Sequence, residues 1–100
     1  MTTYFVTRHV GALQWAKQNQ LHFDVHLVHL FDLDVLQARD TIIGTLPMNL
    51  VYSLNEKGIR YIHLSLEIPS HLRGVELSLD QLNDCKANLQ VFVVHKIEFK

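Results

Sequence analysis

Strand-like and helix-like segments alternate along nearly the whole of this chain. Five stretches are rich in β-branched, aromatic and aliphatic residues, as strands are. They are residues 3–7, 23–30, 40–47, 60–68 and 91–100. Three others hold helix formers and helix-boundary residues: 11–20, 47–57 and 78–89. The order β-α-β-β-α-β-α-β predicts an α/β fold, a mostly parallel sheet of about five strands with helices on both faces.

Several residues predict where the helices begin and end. Pro47 suits the first turn of the second helix, and Gly58 is a natural terminator for it. Ser78 is a good cap for the third helix, with Asp80 favourable in its first turn. Residues 31–39 form a connection with one helical turn, which is short for a parallel crossover. The pairing of the second and third strands therefore stays open.

Size and charge restrict the class of protein. One hundred residues make one domain, residues 1–100, with a small core that dimerisation would help to complete. Nine basic residues face ten acidic ones, so no bulk attraction to DNA or long RNA is expected, whereas a small anion held by local cations is compatible. A single cysteine, Cys85, cannot form an internal disulfide, which fits a reducing compartment. The apolar run at the N-terminus breaks at Arg8, and no stretch reaches the length of a membrane span, so we expect a cytoplasmic protein without membrane contact.

Donor-rich residues follow three of the predicted strands. In a parallel sheet the carboxyl ends share one edge, where ligands bind near helix N-termini. The candidates at this edge are Thr7, Arg8, His9, Gly11, Gly44, Thr45, Leu46, Pro47, Ser65 and, on the next loop, Arg73. Arginine, histidine, hydroxyl groups and free backbone N–H groups suit phosphate.

Each candidate also has a plainer structural interpretation. Arg8 could form a surface ion pair, and His9 could be a structural or exposed histidine. Gly44 and Pro47 could shape a tight strand-to-helix turn, and Thr45 could be a helix cap. Trp15 is more often a core or interface residue than a stacking platform for a base. The prediction depends on their convergence at one edge.

Other familiar sites do not fit the sequence. Arg8-His9 is followed by Val10, not by the glycine of the histidine phosphatases, and the chain lacks a glycine-rich phosphate loop. His22 and His26 would share one face of a strand while His29 points the other way, so no metal site is expected. No cofactor is predicted.

Four separated blocks resemble one family. TRHVGALQWA, DTIIGTLP, RYIHLSLEIP and RGVELS, in this order and spacing, look like a small Csx-type family of type III CRISPR systems, the CARF-like ring nucleases. The matching positions in the first two blocks are Arg8, His9, Gly11, Ala12, Trp15 and residues 44–47. In the other two they are residues 63–66, Arg73, Gly74, Glu76 and Leu77. Residues 22–38 resemble the family less clearly.

The resemblance implies a Rossmann-like homodimer that binds cyclic oligoadenylate, a small cyclic RNA, and linearises it without a metal. The implied ligand is cyclic tetra-adenylate, and its removal would switch off type III CRISPR signalling. In such a reaction Arg8 would stabilise the phosphate charge, and His9 would act as general acid or base or contact the ligand. Backbone N–H groups of residues 44–46 would add donors. The expected ligand contacts are Thr7, Gly11, Trp15, Gly44, Thr45, Leu46, Pro47, Ser65 and Arg73.

Two other functions are compatible with the same residues. A non-catalytic sensor or sponge would bind the cyclic oligoadenylate through the same pocket. An interaction module would leave the crevice empty and pair its apolar tail strand with a partner chain.

Overall fold

The computed structural model describes residues 1–30 and 32–99 and contains one five-stranded sheet. Its strands are β1 (Thr3–Val6), β2 (Val25–Leu27), β3 (Thr41–Gly44), β4 (Arg60–Ser65) and β5 (Asn88–Phe92). Its α-helices are α1 (Val10–Gln18), α2 (Met48–Glu56) and α3 (Leu79–Asp84). The element order of the prediction and its α/β class are confirmed.

The strand order across the sheet is β2-β1-β3-β4-β5. β1 to β4 run parallel, and only β5 is antiparallel, with Ile62 of β4 opposite Val91. This is one of the two common orders of doubly wound, Rossmann-like sheets. The open question about the second and third strands is thereby answered. They do not pair with each other, since both flank β1.

The connection between β2 and β3 therefore crosses one face of β1. It contains a single 3₁₀ turn, Leu33–Val35, which confirms the predicted helical turn, although Phe31 lies outside the described residues. Leu30 and Leu33 pack against the core, and Leu36 is buried in it. This short apolar segment covers the sheet where a longer crossover would place a helix.

Helices cover both faces of the sheet, as predicted. On one face, Phe5, Ile43 and Leu64 of the strands pack against Trp15 of α1 and Leu82 of α3. On the other face, a second cluster joins the sheet to α2 and to the β2–β3 connection. It contains Val6, Leu36, Ile42, Val51, Leu54, Ile59 and Tyr61.

The predicted third helix and last strand were wrong in their boundaries. The helix predicted to reach Leu89 ends at Asp84, and the last strand is Asn88–Phe92 rather than residues 91–100, of which Lys100 lies outside the described residues. Lys86 takes a left-handed conformation (φ 58°), and a Schellman motif closes the helix with Ala87 N–H donating to Leu82 O (3.1 Å). Because a lysine rather than a glycine occupies this position, the sequence carries no stop signal.

The other two helices close in the same way. Gly58 (φ 78°) ends α2, as predicted, and Gln20 (φ 54°) ends α1 without a glycine signal. The second predicted strand also shrinks, from residues 23–30 to Val25–Leu27. No helix in residues 1–30 and 32–99 is long and apolar enough to span a membrane.

Candidate functional site

A polar crevice lies outside the carboxyl ends of β1 and β3, where the strand order reverses. Such switch points are the usual ligand sites of open α/β sheets. The crevice has a volume of about 400 Å³. It is lined by Val6, Thr7, Arg8, His9, Val28, His29, Leu30, Thr45, Leu46, Pro47 and Leu50. The fold thus brings together six of the predicted site residues.

Hydrogen bonds fix the Thr7–His9 segment at the floor of the crevice. Thr7 N–H donates to Leu27 O of the neighbouring strand (2.9 Å). His26 Nε2 lies 2.7 Å from Thr7 O, and because a carbonyl only accepts, that nitrogen carries the proton. Thr7 Oγ1 accepts from His9 N–H (3.2 Å), so its own proton can still be donated to a ligand.

Two helices begin at this crevice with uncapped N-termini. α1 follows His9 and α2 follows Pro47, and neither has a side-chain cap or an acidic residue in its first turn. The third helix contrasts with them, since Ser78 and Gln81 form a complete capping box and Asp80 occupies its first turn. The two helices at the crevice thus present free N–H groups and positive dipole ends, which favours an anion.

Arg8 and His9 provide the cationic and titratable groups of the crevice. Arg8 is exposed, and no carboxylate of the described chain lies within ion-pair distance of it. The ion-pair interpretation of Arg8 is therefore not supported. His9 Nδ1 lies 3.6 Å from Glu76 Oε1, which leaves Nε2 as the ring nitrogen on the other side. Glu76 lies in a matching block of the sequence but was not predicted as a site residue.

A buried tyrosine fastens the loop that follows β3. Tyr61 Oη accepts from Leu46 N–H (2.9 Å) and donates to Gly44 O (3.0 Å). His63 Nδ1 lies 2.7 Å from the same oxygen. Leu46 N–H is thus already bonded, which corrects the expectation that it is free for phosphate. Burial raises the pKa of Tyr61 and lowers the pKa of His63, so both groups are neutral at neutral pH.

Residues 4–95 match the family model titled "Putative CRISPR-associated protein (Cas_VVA1548)". The chain belongs to the Cas_VVA1548 family. No curated protein and no solved structure matches it. The match supports the CRISPR association that the resemblance implies, and all four sequence blocks of the resemblance fall within the matched residues.

Five other predicted contacts do not line the polar crevice of this Cas_VVA1548 chain: Gly11, Trp15, Gly44, Ser65 and Arg73. Trp15 is 5% exposed in the core between α1 and the sheet, which favours its structural interpretation. Ser65 donates its hydroxyl to Gln90 Oε1 (2.6 Å) at the β4–β5 edge. Arg73 is exposed on the loop after β4.

Gly11 allows the loop before α3 to lie directly on the start of α1. A Cβ atom at this position would overlap the carbonyl oxygen of Leu77. This close approach is what brings Glu76 beside His9 in this Cas_VVA1548 chain. Gly11 therefore acts on the site through packing. In the described part of the chain, no three His, Cys, Asp or Glu side chains are grouped to hold a metal ion.

Proposed function

We propose that this CRISPR-associated protein is a ring nuclease that binds cyclic tetra-adenylate and linearises it without a metal. The 2′-oxygen of a ribose forms a bond to the adjacent phosphorus, and the bond from phosphorus to the 5′-oxygen breaks. The products are a 2′,3′-cyclic phosphate end and a 5′-hydroxyl end. The proton lost by the 2′-hydroxyl is balanced by the proton gained by the 5′-oxygen.

The observation that carries the proposal is the composition of the crevice at the strand switch point. Arg8, His9 and Thr7 meet there beside two uncapped helix N-termini. These groups bind and polarise phosphate in a nearly neutral protein, which suits a small anionic ligand better than long nucleic acid. Membership of a CRISPR-associated family agrees with a ligand from CRISPR signalling.

The crevice supports catalysis by positioning and by charge. The Arg8 guanidinium pairs with the non-bridging phosphate oxygens and stabilises the charge that grows in the transition state. The uncapped first turns of α1 and α2 add backbone N–H donors beside the crevice. The Thr7 and Thr45 hydroxyls orient the phosphate so that the attacking and leaving oxygens lie in line.

His9 moves a proton in this scheme, as general base for the 2′-hydroxyl or as general acid for the 5′-oxygen. Glu76, beside Nδ1, orients the ring so that Nε2 faces the substrate. The side chain is half exposed, so it can exchange its proton with water between turnovers.

The proposed assembly is a homodimer. Cyclic tetra-adenylate is nearly symmetric, and a two-fold dimer can present the same crevice to opposite sides of the ring. Each protomer would then contribute one Arg8 and one His9, and one of the two would cut first.

The test is to incubate the purified protein with radiolabelled cyclic tetra-adenylate in EDTA and in Mg²⁺. Linear product with a cyclic phosphate end, at equal rates in both buffers, is the expected result. A gel shift without cleavage of the ring would refute the ring nuclease and favour the non-catalytic sponge. If the protein neither binds nor cleaves the ring at micromolar concentration, both functions are refuted and the interaction module is favoured.

A Thr7→Val variant, which keeps the shape of the side chain but removes its hydroxyl, is expected to weaken ring binding more than Thr41→Val at the opposite edge of the sheet.

A further inference from the structure

A second cavity of about 220 Å³ opens beside the polar crevice. Thr7, His9 and Thr45 line both spaces and form their common rim. The other walls come from α1, the end of β4, the loop before α3, and α3 itself. They are Ala12, Leu64, Leu66, Ile68, Val75, Leu77 and Leu82.

These remaining walls are entirely apolar, in contrast to the crevice next to them. Engineered apolar cavities of about 150 Å³ bind benzene, so this cavity can hold a flat ring system larger than benzene. A phosphate would be poorly solvated among leucines, whereas a purine ring would bury its faces there. Only the rim residues Thr7, His9 and Thr45 have polar side-chain atoms that can bond to the edge of such a ring.

The apolar cavity, the common rim and the polar crevice lie next to one another in the order of the base, the ribose and the phosphate of a nucleotide. We propose that the apolar cavity receives a nucleobase, an adenine in the ring substrate, while the phosphate of the same nucleotide lies in the polar crevice. This inference rests on the proposed function and names the subsites of that site. Neither the family match nor the sequence blocks assign the apolar walls a role.

The arrangement places the ribose at the common rim, since the ribose joins base to phosphate. His9 is then next to the sugar, where the attacking 2′-hydroxyl is. The binding of the base thus positions the reacting group, and a purine, which fills more of the cavity, is preferred over a pyrimidine.

Val75 offers a way to fill the cavity with little risk to the fold. It lies on a loop and is 52% exposed, so Val75→Phe adds volume at the cavity wall without entering the packed core. Val91→Phe is the matched control, because Val91 is 51% exposed on β5 and lines neither cavity.

The experiment is methyl NMR of the full chain titrated with adenosine 3′-monophosphate, whose phosphate adjoins the 2′-hydroxyl as in the proposed reaction, and with ribose 5-phosphate, which lacks the base. We expect the adenosine nucleotide to shift methyl signals of Leu64, Leu66 and Leu82, and ribose 5-phosphate to shift only backbone amides of residues 8–11. Val75→Phe should weaken binding of the adenosine nucleotide at least about tenfold and change binding of ribose 5-phosphate less than about twofold. Val91→Phe should bind both as the wild type does.

Two results would overturn the inference. In the first, adenosine 3′-monophosphate leaves the methyl signals of the cavity residues of the wild type unshifted. In the second, folded Val75→Phe binds it as tightly as the wild type. If the wild type still linearises cyclic tetra-adenylate, only the base subsite fails and the ring nuclease stands. If the methyls shift as expected but the ring is neither bound nor cut, the base subsite stands and the ring nuclease fails.

Discussion

The Nδ1 atom of His9 lies 3.6 Å from Oε1 of Glu76, although the two residues are separated by most of the chain. The contact exists because Gly11 lets the loop before α3 lie against the first turn of α1. Both side chains are about half exposed or more, so the pair contributes little to folding stability. Its consequence is the orientation of the imidazole.

If His9 moves the proton as proposed, Glu76→Ala is expected to lower the rate of ring cleavage about tenfold, the low end of the roughly 10–100-fold effects seen for carboxylates that orient a metal-binding histidine. The Tm should hardly change. The control is Glu67→Ala, which removes an equally exposed carboxylate paired with Lys86 away from the crevice. Equal cleavage rates in both variants would show that Glu76 does not position His9.

Tyr61→Phe tests the hydrogen-bond network behind the crevice, in which the Tyr61 hydroxyl joins Leu46 N–H to Gly44 O. The substitution leaves Leu46 N–H and Gly44 O without the hydroxyl that they share, which should cost about 1–3 kcal/mol of unfolding free energy. Urea denaturation measures this loss. Tyr52→Phe is the control, since the Tyr52 hydroxyl has no hydrogen bond to any described residue, and its change should stay within about 0.5 kcal/mol. Similar losses in the two variants would contradict the role of the network.

Asp40 makes the free energy of unfolding depend on pH in the acid range. Its buried carboxylate accepts from Gln37 N–H (2.8 Å) and Thr2 N–H (3.0 Å), and these bonds, the first above all, lower its pKa from 3.8 despite its burial. The unfolded chain therefore binds the proton more readily than the folded one. The stabilisation is complete above the unfolded pKa and is lost as pH falls from about 4 through the lowered pKa.

Asp40→Asn should consequently flatten the dependence of unfolding free energy on pH between about 5 and 2. Urea denaturation at several pH values measures the slope. An unchanged slope in Asp40→Asn would refute the assignment.

The end of α3 predicts a stabilising change. Lys86 holds a left-handed conformation that costs a non-glycine residue about 1 kcal/mol. Lys86→Gly should therefore be more stable than Lys86→Ala by about that amount. Both variants lose the exposed ion pair with Glu67, so their difference in thermal unfolding isolates the backbone effect. Equal stabilities would contradict it.

The same helix end shows where prediction from the sequence stopped. The alternation of elements predicted the α/β class, and Gly58 marked the end of α2. Gln20 and Lys86 close their helices without a glycine, so the last strand was predicted about three residues too late. Local sequence cannot show that tertiary packing stabilises a strained backbone there.

The sequence predicts which residues after the strand ends lie together at the crevice. It does not predict the residues that tertiary packing brings there. Arg8, His9 and Thr45 follow parallel strands directly, and they lie together. Glu76 and Tyr61 reach the site through contacts distant in sequence, which no local pattern reveals. Ser65 is the last residue of the parallel strand β4, but its hydroxyl bonds to Gln90 of the antiparallel β5.

The central claim is that Arg8 stabilises the phosphate of a cyclic oligoadenylate during cleavage. The most direct measurement is the single-turnover rate of cyclic tetra-adenylate cleavage by Arg8→Ala, with Arg60→Ala as control because Arg60 is an exposed arginine at the amino end of β4, on the opposite edge of the sheet. Arg8→Ala should lose about 100-fold or more, as enzymes do when one preorganised charge donor is removed, while Arg60→Ala stays within about twofold of the wild type. Cleavage by Arg8→Ala at the wild-type rate would contradict the account.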